Sequence, residues 1–446
     1  MYEKDQYSIV GKPRPRADAA KLAAGRVMYV GDMTFPNMLY AKGVYSTEHH
    51  AKILSIDVRE AENIPGVRAI VTWEDVPFNG FGVDIPDQPV LAEGKVRYKG
   101  EMVAAVAADT YEIAMEAAKR IRVSYETLPA VFDPREAMKE DAPVIPPERM
   151  AEYFRGNIHL VSSGHLAGGS LRDHIRLRRG DVEQGFSESD IILQKEFMSS
   201  VQKSAAIEPI CTIADWQDDG VTIWSTQQCP HGNAPAMATA IGLPLSKMRI
   251  VSQVLGGGFG EKNQILIEPV TALLSKKAGR PVKFHFTIEE HLMWSGTRHP
   301  VYMDIKLGAK KDGTLMALER YTVTGAGAYR SVAAFITGKI AFWGGGPYKI
   351  PNQKADCYIV ATNKQVGSAL RGFGMAQPTF AIEVLMDMLA EEIGMDPLEL
   401  RLKNTYHDGD YTATGQCIRA AGIEPVLRKV AEMSGWYENA LKQESL

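Results

Sequence analysis

Three consecutive glycines, Gly256, Gly257 and Gly258, followed by Phe259, Gly260, Glu261 and Lys262, constrain this chain more than any other stretch. Glycine lacks a Cβ, so the backbone there can take positive φ and lie against a neighbouring group with its N–H donors exposed. The apolar segment 248–255 leads into the run, so the pattern predicts a strand, an anion-cradling turn and then a helix. A tight turn without a ligand is the plain alternative, because glycine clusters also punctuate ordinary loops.

A second glycine-bracketed phenylalanine occurs at Arg371, Gly372, Phe373 and Gly374, followed by Pro378 at a helix start. Apolar residues then recur at helical spacing, Ala381, Val384, Leu385, Met388, Leu389 and Ile393, up to Gly394. Two such turns, each delivering a helix N-terminus, form an anion-binding pair if the fold brings them together.

Length and composition narrow the class. A chain of 446 residues has room for two or three domains and several cores. Its formal net charge of −4 gives no electrostatic reason to expect nucleic acid or an anionic membrane as a partner. No signal-like layout opens the chain and no apolar run approaches a membrane span, so a cytoplasmic location is expected. The four cysteines, Cys211, Cys229, Cys357 and Cys417, are far apart, which suggests neither a zinc nor an iron–sulfur site in this chain.

Read in order, residues 1–18 form an extended arm, since Pro13 and Pro15 alternate with Arg14 and Arg16. Residues 19–130 alternate short apolar runs with turn residues, and two helices are expected. One spans 50–62; the other starts at an N-cap Asp109, with Glu112 three residues on. Proline and glycine mark 131–177 as a linker. The remainder, 178–446, forms a second domain with a hairpin turning at Gln217-Asp218-Asp219-Gly220 and a helix ending at Lys277 before Gly279. The fold class expected is α+β.

Several ordered motifs together carry a resemblance: Ser225-Thr226-Gln227, the run Gly256 to Gly260 with Lys262, Gly279-Arg280-Pro281, Arg298-His299-Pro300, Tyr348 to Asn352, and Arg371 to Gly374 with Gln377. In these the chain resembles the molybdenum-binding subunit of the xanthine oxidase and aldehyde oxidoreductase family over about 19–404. The resemblance implies an α/β hammerhead-like domain, then the first part of a molybdopterin-binding domain. It also implies a hydroxylase that takes oxygen from water and passes electrons to iron–sulfur clusters and a flavin. The cofactor implied is molybdenum on molybdopterin cytosine dinucleotide, with selenium carried as an alternative to sulfur at the metal, and with [2Fe-2S] and FAD on partner subunits.

Position by position, Gln227 is similar to a glutamine that hydrogen-bonds a metal ligand, and Phe259 and Arg371 to residues of two turns approaching the metal from opposite sides. Gly257, Gly258, Gly260, Gly372, Phe373 and Gly374 fall in the cofactor-binding turns. Phe373 resembles an aromatic wall for a planar substrate. Asn263 stands where purine-oxidising members carry a glutamate and Lys339 where they carry an arginine, which points away from purines; the layout of the chain is what resembles a nicotinate-like hydroxylase. Ser368 stands where carbon monoxide dehydrogenases place a cysteine, which argues against a copper-dependent variant. The family's catalytic glutamate has no counterpart after Asn404. The resemblance therefore implies a second molybdopterin subunit supplying that base, as in the split-subunit nicotinate dehydrogenase of anaerobic bacteria.

Overall fold

Two large sheets organise the computed structural model, which describes residues 7–83, 85–145 and 171–437. The Gly-rich residues 163–170 and the first six residues of the arm lie outside the described set.

The N-terminal strands are β1 (Leu39–Tyr45), β2 (Ala51–Asp57), β3 (Val67–Thr72), β4 (Lys95–Val96), β5 (Met102–Ala108) and β6 (Arg122–Thr127). Next come β7 (Leu171–Arg179), β8 (Ile191–Ser199), β9 (Cys211–Gln217), β10 (Gly220–Ser225), β11 (Met248–Ser252) and β12 (Val282–His285). The last are β13 (Val301–Ala309), β14 (Leu315–Gly327) and β15 (Asn352–Ala361). A seven-stranded sheet runs β11-β10-β9-β12-β1-β5-β3, a five-stranded one β7-β15-β14-β13-β8, and a small third one β4-β2-β6.

The seven-stranded sheet joins the two halves of the sequence. Leu39 on β1 pairs in parallel with Val282 on β12, so N-terminal strands and later ones share one hydrogen-bonded layer. Its core is built from Leu39, Met102, Ile223, Phe284 and the helix Glu268–Ala278. The five-stranded sheet is covered by the helices Ala333–Trp343 and Ala376–Ile393, whose Ile336, Ile340, Leu385 and Leu389 meet Ile305, Leu318 and Ile359. β7 begins inside the segment read as linker, pairing Ile175 with Cys357 of β15.

Two local expectations fail. Residues 50–62 are not a helix: β2 occupies 51–57 and only Arg59–Glu62 is helical. The β2–β6 pairing is irregular between Ile53 and Ser55, which shifts the strand's alternation by one residue. The helix Tyr111–Arg120 forms as expected, but Thr110 is its cap, its hydroxyl accepting from the Ile113 N–H at 3.3 Å. The Asp109 carboxylate is taken instead by Arg68 and Arg280.

Candidate functional site

The two glycine-bracketed phenylalanines meet. The Arg371 N–H donates to the Phe259 carbonyl at 2.8 Å, and a Cβ added to Gly260 would lie 2.8 Å from the Ala369 carbonyl oxygen. Both turns use the left-handed backbone region, with φ of 51° at Phe259 and 42° at Phe373, against 103° at Gly260 and 94° at both Gly372 and Gly374. For phenylalanine that conformation costs about 1–2 kcal/mol, and it persists where neighbours over-determine it.

Under the first turn the neighbours are buried charges. The Lys262 side chain is 0% exposed and pairs with Glu208 at 2.9 Å. The same Glu208 oxygen accepts the Gly256 N–H at 2.8 Å. Burial pushes the Lys262 ammonium below its usual pKa, although Glu208 opposes the shift. Beside it, Glu261 and His291 are buried and 2.9 Å apart. His291 Nδ1 accepts from the Ile210 N–H at 3.2 Å, which assigns the ring proton to Nε2, facing Glu261. Burial pushes the Glu261 carboxyl up, but the bonds from His291 and the Ala206 N–H outweigh it and hold the group below its ordinary value.

The first turn does not lead straight into an α-helix. A 3₁₀ turn, Glu261–Asn263, follows it, and the helix waits for Pro269 in its first turn. Gln264 is extended between them, with Ile265, Leu266 and Ile267 buried. The second turn behaves as predicted, opening the 18-residue helix Ala376–Ile393. It is held by packing: Phe373 leans on the core of the five-stranded sheet, and a Cβ on Gly374 would lie 2.6 Å from the Ile336 carbonyl oxygen.

Gln227 lies inside the fold. It is 0% exposed; its amide donates to Gln264 and Glu268 and accepts from Cys229 and Asn233. With both ends committed inside the chain, it holds the end of β10 against the start of the helix Glu268–Ala278. Successive residues of an extended segment point to opposite sides, so its neighbour Gln228 is the one exposed, accepting the Gly260 N–H at 3.0 Å. Gln228 was missed in the sequence, although the doubled glutamine after Thr226 carried that signal. The partner carboxylate Glu208, in the segment 206–209, has the structural role that an acid in this segment suggests.

Lys339 and Phe373 come together. The Lys339 ammonium lies 4.8 Å from the centre of the Phe373 ring, within cation–π range. Both line a cavity of about 250 Å³ with Ile175, Phe335, Phe342 and Trp343, and a buried Asp173–Arg330 ion pair of 2.7 Å closes one side. Asn263 does not line this cavity. It sits behind Gly260, its N–H donating to the Gly260 carbonyl at 3.0 Å. Arg371 is exposed on the open side of the turns, and Phe259 is 46% exposed there.

These residues suit an anionic group between the turns. Among the described residues, the N–H groups of Gly257, Gly258, Phe259, Gly372 and Gly374 meet no acceptor. Ser368 Oγ is buried without a partner and can donate. Unpaired main-chain donors in glycine turns are the kind of group that takes an oxyanion. Among the described residues, no group of three or more His, Cys, Asp or Glu side chains is arranged to hold a metal ion, and no helix is long and apolar enough to cross a membrane.

Comparison with known proteins agrees with this architecture. Residues 24–129 match the family model for the aldehyde oxidase and xanthine dehydrogenase a/b hammerhead domain, and 168–405 that for the molybdopterin cofactor-binding domain. The chain is 36% identical to a probable xanthine dehydrogenase subunit of Bacillus subtilis, over 96% of this chain and 57% of that protein. It is 34% identical to the nicotinate dehydrogenase large molybdopterin subunit of Eubacterium barkeri, covering 96% of both chains. Its fold superposes on aldehyde oxidoreductase from Desulfovibrio gigas with a TM-score of 0.88 at 31% identity, over 96% of this chain and 46% of that one. The chain thus spans about half the length of several relatives it matches.

Proposed function

The chain belongs to the xanthine oxidase and aldehyde oxidoreductase family of molybdenum-binding subunits, and from that premise we propose that it is the large molybdopterin subunit of a multi-subunit hydroxylase acting on a nicotinate-like N-heterocycle. The observation that carries the proposal is the contact between the two strained turns beside a cavity walled by Phe373 and crossed by Lys339. When bound, the molybdenum–pterin group supplies two-electron oxidation with oxygen drawn from water. The chain's own part is to hold that group and orient the substrate. N–H groups of Gly257, Gly258 and Gly372 would hold its anionic end; Gln227 fixes the strand end below; Phe259 and Arg371 flank the opening.

Phe373 offers a face for a planar ring, an interaction worth about 1 kcal/mol beyond area burial. Lys339 gives that apolar cavity a cation, which suits a ring bearing a carboxylate better than a neutral aldehyde. Asn263 lies one turn away and tunes the backbone at Gly260. The glutamate base, the [2Fe-2S] clusters and FAD come from partner subunits, in the cytoplasm; the dinucleotide is the cytosine form, with sulfur or selenium at the metal.

The test is to purify the chain with whatever subunits accompany it, measure molybdenum and iron per chain, and assay nicotinate, xanthine and an aromatic aldehyde. Stoichiometric molybdenum with nicotinate turnover is expected, and full turnover by the isolated chain would sink the split-subunit reading. A complex lacking molybdenum would favour an assembly or carrier role on the same fold. Lys339→Met is expected to raise KM for the carboxylate substrate roughly tenfold or more, with little change for an aldehyde.

A further inference from the structure

Residues 202–208 connect β8 to β9; they bond the first turn directly and reach the second through Arg298. The Glu208 N–H donates to the Gly256 carbonyl at 3.2 Å, while its carboxylate accepts from the Gly256 N–H at 2.8 Å and from Lys262 at 2.9 Å. Two residues earlier the Ala206 N–H donates to Glu261 at 3.1 Å, so carboxylates reach across in both directions. At the other end, Gln202 and Arg298 bond twice: the Arg298 N–H donates to the Gln202 carbonyl at 2.9 Å and Arg298 Nε to Gln202 Oε1 at 2.8 Å. The same guanidinium then donates through Nη2 to the Arg371 carbonyl of the second turn at 2.9 Å.

We propose that 202–208 is a strap that sets the separation of the two cofactor-binding turns, with Arg298 and Glu208 as its positioning residues. The inference rests on the reading that those turns hold the cofactor, and adds how their spacing is fixed. A single Arg371-to-Phe259 backbone bond would leave the turns free to hinge. The strap supplies a second, independent tie, and its bend at Ala205, with φ of 48°, lets one short segment serve both. Arginine suits the outer end because its planar fork bonds the strap through Nε and the turn through Nη2 in a fixed relative geometry. Lysine cannot do both. Ala206 lies close beneath the first turn, 3.3 Å from where a Cβ on Gly257 would sit, so movement of the strap is felt there by contact as well.

The experiment measures amide exchange by NMR or mass spectrometry on the purified complex, in the parent and in Arg298→Lys. Arg298 has no hydrogen bond to the first turn, so a merely local defect speeds exchange only at the bonded amides of the second, Arg371 and Phe373. The strap predicts about fivefold faster exchange at Arg371 and also at Gly256, whose N–H reports the Glu208 bond. Should Arg298→Lys fail to fold, Gln202→Ala removes the Nε half of the same link, keeps the backbone half, and is expected to speed exchange at the same two amides. Exchange raised at the second turn alone, or at neither, overturns the proposal. Molybdenum content and the Mo(V) EPR signal are recorded alongside. A parent without molybdenum whose two turns still respond together would fail the functional reading and support the strap; a loaded parent whose Gly256 amide ignores Arg298→Lys would do the reverse.

Discussion

The first and second glycine turns share a backbone, but different forces hold them. In the first, Phe259 points out, 46% exposed, and the turn is fixed from beneath by the Glu208–Lys262 and Glu261–His291 pairs. In the second, Phe373 packs on the core and Gly374 is pressed against the Ile336 carbonyl, with the helix Ala376–Ile393 leaving at once. One strained conformation is thus maintained by buried electrostatics and the other by packing. Packing yields little before it clashes, whereas an ion-pair clamp fails when one partner is lost.

The comparison breaks most sharply at the glycines. Gly374→Ala adds a Cβ 2.6 Å from the Ile336 oxygen at a φ of 94°, and Gly260→Ala one 2.8 Å from the Ala369 oxygen at 103°. Left-handed strain and overpacking together predict a loss of roughly 3–5 kcal/mol in chemical denaturation. Gly394→Ala, also left-handed but with nothing within 4 Å, is the control and loses roughly 1–2 kcal/mol.

Next in size is Lys262→Met, which leaves Glu208 largely buried beside the first turn without its cation. A loss of about 3 kcal/mol is expected, partly recovered by adding Glu208→Gln, since a neutral amide still accepts the Gly256 N–H. No recovery in the double variant would mean that the pair does not act as a clamp. The second turn has no equivalent to lose.

A pH-dependent effect is expected from the strap. Lys203, on the strap, donates to the Ser295 carbonyl and hydroxyl, and burial lowers its pKa from 10.5 to about 7, with Glu261 opposing. Between those values the unfolded chain holds a proton that the folded one has released, so stability rises with pH across the window. Below about 7 the buried charge is present in full and its cost is greatest. Lys203→Met removes this rise. Its denaturation midpoint relative to the parent therefore stands highest below pH 7 and falls as pH climbs toward 10.5; a parallel pH profile would contradict the burial.

Much of this was readable in the residues. Glycine and phenylalanine at 256–260 and 372–374 announced two special turns, and Pro378 and Gly394 bounded the helix that follows. What the residues alone left open was settled by partners distant in sequence. The irregularity in β2 shifts its alternation by one residue, and only pairing with β6 reveals it. Asp109 and Thr110 are both good caps, and the choice was made by Arg68 and Arg280, distant in sequence. Likewise, which of Gln227 and Gln228 faces outward depends on Glu268 and Asn233 folding over the first of them.

The finest distinction lies in the phenylalanines themselves. Replacing either by glycine removes about 1–2 kcal/mol of left-handed strain and adds about 0.5–1 kcal/mol of unfolded-state entropy. What remains is the side chain's own packing. Phe259, nearly half exposed, has little to lose, so Phe259→Gly is expected to leave stability within about 0.5 kcal/mol of the parent. Phe373→Gly removes a ring packed on the core and under Lys339, and a net loss of about 2 kcal/mol is expected. Equal losses from the two would mean that the first turn is also held by packing. A neutral Phe259→Gly that nevertheless lowers molybdenum content would show a strained residue kept for its ligand rather than for the fold.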